Sequence, residues 1–407
     1  MDKKKSQLSI ILIMGLALLI VVSIVLYSAR STLSKKTSIE ASQTLTASQD
    51  VRPITQHINA CVDSLSAQAL SLLGSQGGYI YASQGGGYPD PPDFREGSTF
   101  LPFEQHKISY GIRRNRASLP DYPSHFAPYG PDQEGPSSSG SISLSPLNGS
   151  GSSWTFQIEQ FVISQIDNCI AGAGFEEQGY SFEKQDKAAQ AFLGPDEVST
   201  TLHSPMQIVN DITKESTSID TIYSSHSIRL LSLHTELNSL LSSDAQDILF
   251  NISAQRELPQ GMSIRIYPNV YGQDDLIEIL DTGSLLLGKP YSILSARQNR
   301  NPALHYLSRS EDFAYLSPSR TTLNFSHKTN ISIDLLEAYL GAPFADDPDE
   351  DGINFTFFVE SSALNPKPRL PQLLDTPRMT IRIEASDGQL TDYQLIEIER
   401  NPFAQSS

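Results

Sequence analysis

The longest apolar run of the chain lies close to its start. Residues Leu8 to Tyr27 carry no charge and follow the basic sequence MDKKK. A helix of this length spans about 30 Å, the thickness of a bilayer core. The run therefore predicts an uncleaved transmembrane anchor within residues 1–30. The alternative is a secretory signal peptide, whose apolar core is usually shorter and ends in a small-residue cleavage site, and YSARS is a poor match to such a site.

Three amphipathic helices are predicted from apolar residues at spacings of three and four. The first begins near Pro53 and ends before Gly74, and both residues are good helix boundaries. The second runs from about Thr155 to Ala171, and the third lies in SIRLLSLHTELNSLLSSDAQDILF. The apolar residues that define the three faces are Ile54, Ile58, Cys61, Val62, Leu65, Ala69, Leu72 and Leu73; Ile158, Phe161, Val162, Ile166, Cys169 and Ile170; and Leu230, Leu233, Leu237, Leu240 and Leu241.

Between and after these helices, several segments have the short apolar pattern of strands, among them VSTTLHSPMQIV, MSIRIYPNVY and LIEILDTGSLLL. Together they predict an α+β domain over residues 52–310, with helices on one side of a mixed or antiparallel sheet. Residues 31–51 are polar and are interpreted as a stalk. Residues 84–153 are rich in Gly, Pro and Ser and predict a disordered insert, in which HKISYGIRRNR is the one candidate strand.

The C-terminal region alternates apolar and polar residues with a period of two. INFTFFVES, RMTIRIEASDG and DYQLIEIER follow this pattern, which is typical of half-buried strands. Short strands separated by turns predict an all-β sandwich over residues 318–400.

The composition narrows the classes of partner. The chain has 29 basic and 46 acidic residues and a net charge of −17. Nucleic acids and anionic lipid headgroups both require a positive surface, so nucleic acid is not expected as a partner. The low charged fraction of 18% suits an extracytoplasmic protein rich in strands and loops.

The two cysteines and the asparagine sequons bear on location. Cys61 and Cys169 both follow the predicted anchor, and an even count in an exported chain favours a disulfide; two buried free thiols are the alternative. Lysines before the anchor favour a cytoplasmic N-terminus, although basic residues after it partly balance them. Five Asn-x-Ser/Thr sequons are candidate glycosylation sites, namely Asn148, Asn251, Asn324, Asn330 and Asn354.

An acidic stretch, FADDPDEDGINFTFF, opens the C-terminal strands. Asp347, Asp349, Asp351 and Gly352 fit the first half of an EF-hand loop. The twelfth position is Phe358 rather than Glu, and a strand follows where a helix is required, so an EF-hand is excluded. Acidic turns without any ion are an alternative that remains open, because Asp, Pro and Gly are ordinary turn residues.

The first 310 residues resemble a group of single-pass surface proteins of archaea with small genomes. The resemblance rests on KKKSQLSIILIMGLALLIVV, CVDSLSAQALSLLGSQGGYIY, NCIAGAGFEEQGYSF and SARQNRNPAL. It implies an exported, membrane-tethered α+β domain and no particular activity. The N-terminus is also similar to archaeal pilin-like proteins, which implies cleavage at Ser6–Gln7 and an assembly subunit as an alternative function.

The pairing of DDPDEDGINFTF with EASDGQLTDYQLIEI resembles cadherin-like repeats of the dystroglycan type and immunoglobulin-like sandwiches. The resemblance implies an adhesion module with calcium held by Asp347, Asp349, Asp351 and Asp387. Carboxylate oxygens are the ligands that calcium prefers.

No catalytic motif stands out, because the sequence contains no His-Glu-x-x-His, Gly-x-Ser-x-Gly or phosphate-binding glycine loop. The sequence therefore predicts a non-enzymatic protein of the cell membrane, with most of the chain extracytoplasmic. Its expected partners are the membrane, through residues 8–27, and other surface proteins or glycans. A surface enzyme of an unrecognised class is a further alternative.

Overall fold

The computed structural model describes residues 51–92, 100–114, 141–149, 151–246, 250–254, 257–304, 320–326, 345–360 and 378–401. These residues form a mixed α and β structure composed mostly of sheets, which confirms the predicted α+β character. The predicted anchor, Leu8–Tyr27, and most of the predicted stalk lie outside them. Within the described ranges, no helix has both the length and the apolar character needed to cross a membrane.

The three predicted amphipathic helices are present. They are α1 (Arg52–Ser75), α2 (Trp154–Ala171) and α3 (Leu230–Gln246). Their apolar residues are buried as the spacing predicts, apart from Leu72 and Cys169, which are partly exposed. Periodicity alone was sufficient to locate all three helices.

The described residues divide into two compact units. The first contains the described residues up to Leu65 together with Gln165–Gln190 and Thr200–Ser224. The second contains those of Ser66–Ser164, Ala191–Ser199 and Ser225 onward. Each predicted domain is one continuous stretch of the chain, whereas each unit combines separate stretches. The predicted domain boundaries stay a prediction.

A four-stranded sheet, most of whose residues belong to the first unit, is built around a long hairpin. β6 pairs with β4, β5 and β7, and the β4–β6 pair is antiparallel. Leu202, Met206 and Ile208 are buried in β6, and Ile219 and Ile222 are buried in β7. The strands are β4 (Tyr180–Lys184), β5 (Ala188–Leu193), β6 (Val198–Asn210) and β7 (Ser216–His226).

The second unit contains a six-stranded sheet with the order β1-β2-β10-β9-β8, in which β3 also pairs with β2. The β2–β10 pair is parallel and the other pairs are antiparallel. The strands are β1 (Phe100–Phe103), β2 (His106–Arg113), β3 (Ser141–Ile142), β8 (Met262–Tyr271), β9 (Asp274–Leu286) and β10 (Lys289–Arg297).

Three of these strands correct the prediction of a disordered insert at residues 84–153. β1, β2 and β3 all come from that segment, and only β2 matches the predicted strand. Leu101, Ile108 and Ile112 are completely buried. Gly, Pro and Ser dominate the composition of residues 84–153, so composition alone does not predict these short apolar strands.

The C-terminal part of the second unit contains a four-stranded sheet with the order β12-β16-β15-β14. The β12–β16 pair is parallel, and β15 is antiparallel to both of its neighbours. Ile381, Ile383 and Ala385 are buried, as the period of two predicts. The strands here are β11 (Ala303–Leu304), β12 (Arg320–Ser326), β13 (Ala345–Asp346), β14 (Asn354–Glu360), β15 (Arg378–Ser386) and β16 (Thr391–Asn401).

β11 and β13 form a separate antiparallel pair. It carries the chain into the acidic turn that opens β14. A complete sandwich over residues 318–400 stays a prediction, because the described residues supply one sheet and this short pair.

Candidate functional site

A group of buried charged side chains lies where the acidic turn meets the six-stranded sheet. We call it the aspartate–arginine cluster, and it consists of Arg297, Arg300, Asp244, Asp275 and Asp349. All five residues belong to the second unit. Arg297 ends β10, Arg300 follows it, and the aspartates come from α3, β9 and the turn between β13 and β14. The cluster therefore ties together four segments that are far apart in sequence.

Arg300 is completely buried, with 0% of its surface exposed. Its Nε donates to Asp349 Oδ1 (3.0 Å), and its Nη2 donates to the same oxygen (2.7 Å) and to Asp244 Oδ1 (3.0 Å). The carbonyls of Asp244 and Pro348 accept further hydrogen bonds at 3.0 and 2.8 Å. Burial alone would lower the pKa of Arg300, but the two carboxylates raise it above its ordinary value, so the side chain stays charged.

Arg297 is the second buried cation, with 5% of its surface exposed. It pairs closely with Asp275, and its Nε lies 3.3 Å from Asp349 Oδ1 while its Nη1 lies 3.5 Å from Asp244 Oδ2. Burial opposes the charged form, and the carboxylates of Asp349, Asp244 and Asp275 outweigh it and raise the pKa of Arg297. Two arginines thus face three aspartates, and buried charges of this kind need both pairing and hydrogen bonds.

The four aspartates predicted to hold calcium have different roles in this arrangement. Asp349 belongs to the cluster. Asp387 Oδ1 accepts hydrogen bonds from the backbone amides of Gln389 and Leu390, both at 2.6 Å, and its Oδ2 accepts one from Asn299 Nδ2 at 2.9 Å. Two of the four carboxylates are therefore already occupied by protein donors.

Asp347 and Asp351 each keep one oxygen without a partner. Asp347 Oδ1 accepts hydrogen bonds from the backbone amides of Asp349 (2.8 Å) and Asp351 (3.2 Å), which closes the acidic turn. Asp347 Oδ2 and Asp351 Oδ2 are buried and have no hydrogen-bond partner. Because of burial and neighbouring carboxylates, the pKa values of Asp347 and Asp351 rise to about 7 and about 6.

This geometry fits the predicted calcium set only in part. Among the described residues, no three carboxylates present oxygens that all lie within 4.8 Å of one another. Calcium requires six to eight oxygen ligands, and Asp347 and Asp351 can offer one free oxygen each. Calcium binding therefore stays a prediction that depends on these two residues.

A cavity of about 290 Å³ opens beside the cluster. Asp275, Arg297, Asp349, Glu350 and Asp351 form its polar side. Its other side is formed by Ile252, Ser253, Ile266, Pro268 and Asn269. The charged side chains of the cluster thus border a space that a ligand could enter.

The predicted disulfide between Cys61 and Cys169 is present in the first unit, and no free cysteine remains among the described residues. His57 lies next to it, with its Nε2 3.4 Å from Cys61 Sγ and 3.1 Å from the carbonyl oxygen of Cys169. Both sulfurs are bonded to each other, so neither is available as a thiolate ligand. The alternative of two free thiols is wrong.

Three of the five candidate glycosylation sites lie on the described surface. Asn148, Asn251 and Asn354 are exposed. Asn324 lies in β12, and Asn330 lies outside the described residues. Glycosylation at these asparagines stays a prediction.

Sequence reasoning missed Arg297, Arg300, Asp244 and Asp275. The sequence RQNRN contributes only to a resemblance, and nothing local connects Arg300 to Asp244, 56 positions before it, or to Asp349, 49 positions after it. A signal is nevertheless present in the sequence, because Arg297 and Arg300 lie at and just after the end of an apolar strand. A charged side chain that is buried at such a position needs a partner of opposite charge.

Comparisons with known proteins identify no relative by sequence: no family model matches, and no curated protein matches. Among solved structures, Drosophila N-cadherin EC1–3 is similar at 8% identity, covering 55% of this chain and 89% of that chain with a TM-score of 0.17. Drosophila N-cadherin EC1–4 covers 55% and 67%, at 8% identity and a TM-score of 0.16. The zebrafish RET cadherin-like domains 1 to 4 cover 55% and 66%, at 6% identity and a TM-score of 0.13.

At these TM-scores the similarity carries no argument about fold or function. The archaeal, pilin-like and cadherin-like resemblances of the sequence therefore stay predictions.

Proposed function

We propose that the protein is a membrane-anchored, extracytoplasmic surface protein with a structural or interaction role. The Cys61–Cys169 disulfide, which joins residues 108 positions apart, is the observation that carries the proposal. Disulfides persist in oxidising compartments and are rare in the cytosol. The apolar run Leu8–Tyr27 supplies the anchor in this proposal.

The buried charges are used by the fold, which fits a structural role. Arg297 and Arg300 are held by Asp244, Asp275 and Asp349, so these side chains join segments of the fold to one another. The proposed partners are other surface proteins or glycans.

Location is tested by adding a protease to intact cells that carry the full chain with an epitope tag after Ser407. Loss of the tag signal from intact cells is expected, whereas a tag placed before Met1 should be lost only after lysis. A C-terminal tag that survives in intact cells and disappears after lysis would overturn the proposal.

The redox state is tested separately by alkylating the denatured chain with a thiol-reactive mass tag. No tag is expected before reduction and two are expected after it, since the chain has two cysteines. A Cys61→Ser variant provides the control, because it should take up one tag without reduction. Two tags on the unreduced native chain would remove the observation that carries the proposal.

A further inference from the structure

A groove runs along β8, the last strand in the order of the six-stranded sheet. Its cavity of about 430 Å³ is lined by Met262, Ile264 and Ile266 from the strand, and by Ile252 and Leu258 from the segment before it. Alternate residues of a strand point to the same face, so Met262, Ile264 and Ile266 form an aliphatic wall on one face of β8, and Ser253, Ala254 and Ser263 line the rest of the cavity.

This groove continues into the cavity beside the aspartate–arginine cluster. The two cavities share Ile252, Ser253 and Ile266. From Met262 to Pro268 the strand extends about 20 Å, at roughly 3.3 Å per residue. The combined groove is therefore long enough for about six residues of extended polypeptide.

The two ends of the groove differ in charge. The aliphatic end includes no charged residue among its described lining residues. The other end is lined by Asp275, Asp349, Glu350 and Asp351, against the single cation Arg297. Arg297 already pairs with Asp275, Asp349 and Asp244, whereas Asp351 Oδ2 has no hydrogen-bond partner.

We propose that this groove binds an extended segment of a partner polypeptide in which a lysine or arginine lies next to aliphatic residues. The aliphatic side chains would occupy the wall formed by Met262, Ile264 and Ile266, and the cationic group would lie beside Asp351 and Glu350. The inference rests on the proposed interaction role and specifies its partner. A polypeptide fits better than a glycan, because a glycan offers neither the aliphatic side chains nor the positive charge.

The probe is a fluorescein-labelled ten-residue peptide of alternating valine and threonine with one lysine near its end, titrated with the full-length protein in detergent micelles. Fluorescence anisotropy measures the dissociation constant. Replacing the lysine of the peptide with glutamate, or its valines with serine, is expected to weaken binding at least about tenfold. Spermidine, which has the charge without the aliphatic side chains, should not compete at equal concentration.

Two protein variants test the two ends of the groove. Asp351→Asn and Ile264→Ser are each expected to weaken binding of the lysine peptide about tenfold. Asp220→Asn is the matched control, because Asp220 is exposed on β7 in the other unit. Circular dichroism melting shows that each variant is folded at the assay temperature.

The proposal is overturned if the glutamate peptide binds as tightly as the lysine peptide, if spermidine displaces the probe, or if Asp351→Asn binds like Asp220→Asn. A folded wild-type protein that binds none of the peptides also overturns it. These outcomes leave the surface location untouched, since protease access to the C-terminal tag is measured independently.

Discussion

Removal of the Asp349 carboxylate is the sharpest test of the aspartate–arginine cluster. Its side chain is 1% exposed, and its oxygens accept hydrogen bonds from Arg300 Nε, Nη2 and backbone N while lying 3.3 Å from Arg297 Nε. Asp349→Ala would leave both arginines buried with only Asp244 and Asp275 as charged partners. The perturbation therefore removes the acceptor for Arg300 Nε and for the backbone N of Arg300, and it takes one of two carboxylate partners from Arg300 and one of three from Arg297.

The expected loss of unfolding free energy is about 3–5 kcal/mol, the usual result of removing one partner from a buried ion pair. Part of this loss is the desolvation of the arginines that remain, because each stays buried after losing a carboxylate that faced it. Replacing both partners together, as Arg300→Met with Asp349→Leu, should cost less than the sum of the single changes.

Urea unfolding followed by tryptophan fluorescence measures these losses. Trp154 is the only tryptophan of the chain, is completely buried and lies in the same unit as the cluster. Glu350→Gln is the control, because Glu350 follows Asp349 in sequence and its side chain is exposed. This variant should change the free energy of unfolding by less than about 0.5 kcal/mol. A loss below about 1 kcal/mol for Asp349→Ala would refute the reasoning.

Three further predictions concern the turn and the disulfide. Burial raises the pKa of Asp351 to about 6, so its neutral form stabilises the fold at low pH and this contribution is lost as the pH rises through 6. Asp351→Asn should therefore raise stability by roughly 1 kcal/mol at about pH 8, after discounting for solvent, and by almost nothing near pH 4 in urea titrations. Cys61→Ala with Cys169→Ala should lower stability by about 4 kcal/mol by circular dichroism, because the disulfide closes a long loop. Millimolar calcium should raise the melting temperature relative to a chelator, and Asp347→Asn with Asp351→Asn should abolish the shift; an unchanged wild-type value would reject a stabilising ion.

The features that could be predicted from the sequence are those with a local signal. The three helices follow from apolar spacing, and β15 follows from strict alternation around Ile381 and Ile383. The disulfide was predictable for a different reason, since only two cysteines exist and both follow the apolar run. None of these inferences required knowledge of which segments meet in space.

The cluster could not be predicted, because its partners are distant in sequence. Asp349 meets Arg300 across 49 positions, and Arg300 meets Asp244 across 56. Nothing near Asp349 in the sequence distinguishes it from Asp347 or Asp351, which have different surroundings. A pattern of turn-forming acids thus predicts where the turn is but not which carboxylate is paired.

The acidic turn also explains why a cationic partner fits this region better than an anionic one. If all of Asp347, Asp349, Asp351 and Glu350 served the fold, each would need a donor. Asp349 has two arginines, and Asp347 uses one oxygen to close the turn. Asp347 Oδ2 and Asp351 Oδ2 are buried without a partner, and burying an unpaired carboxylate costs free energy that an added cation would recover. The surplus negative charge of the turn therefore favours binding of an added cation, whereas the ion pairs with Arg297 and Arg300 hold the turn in the fold.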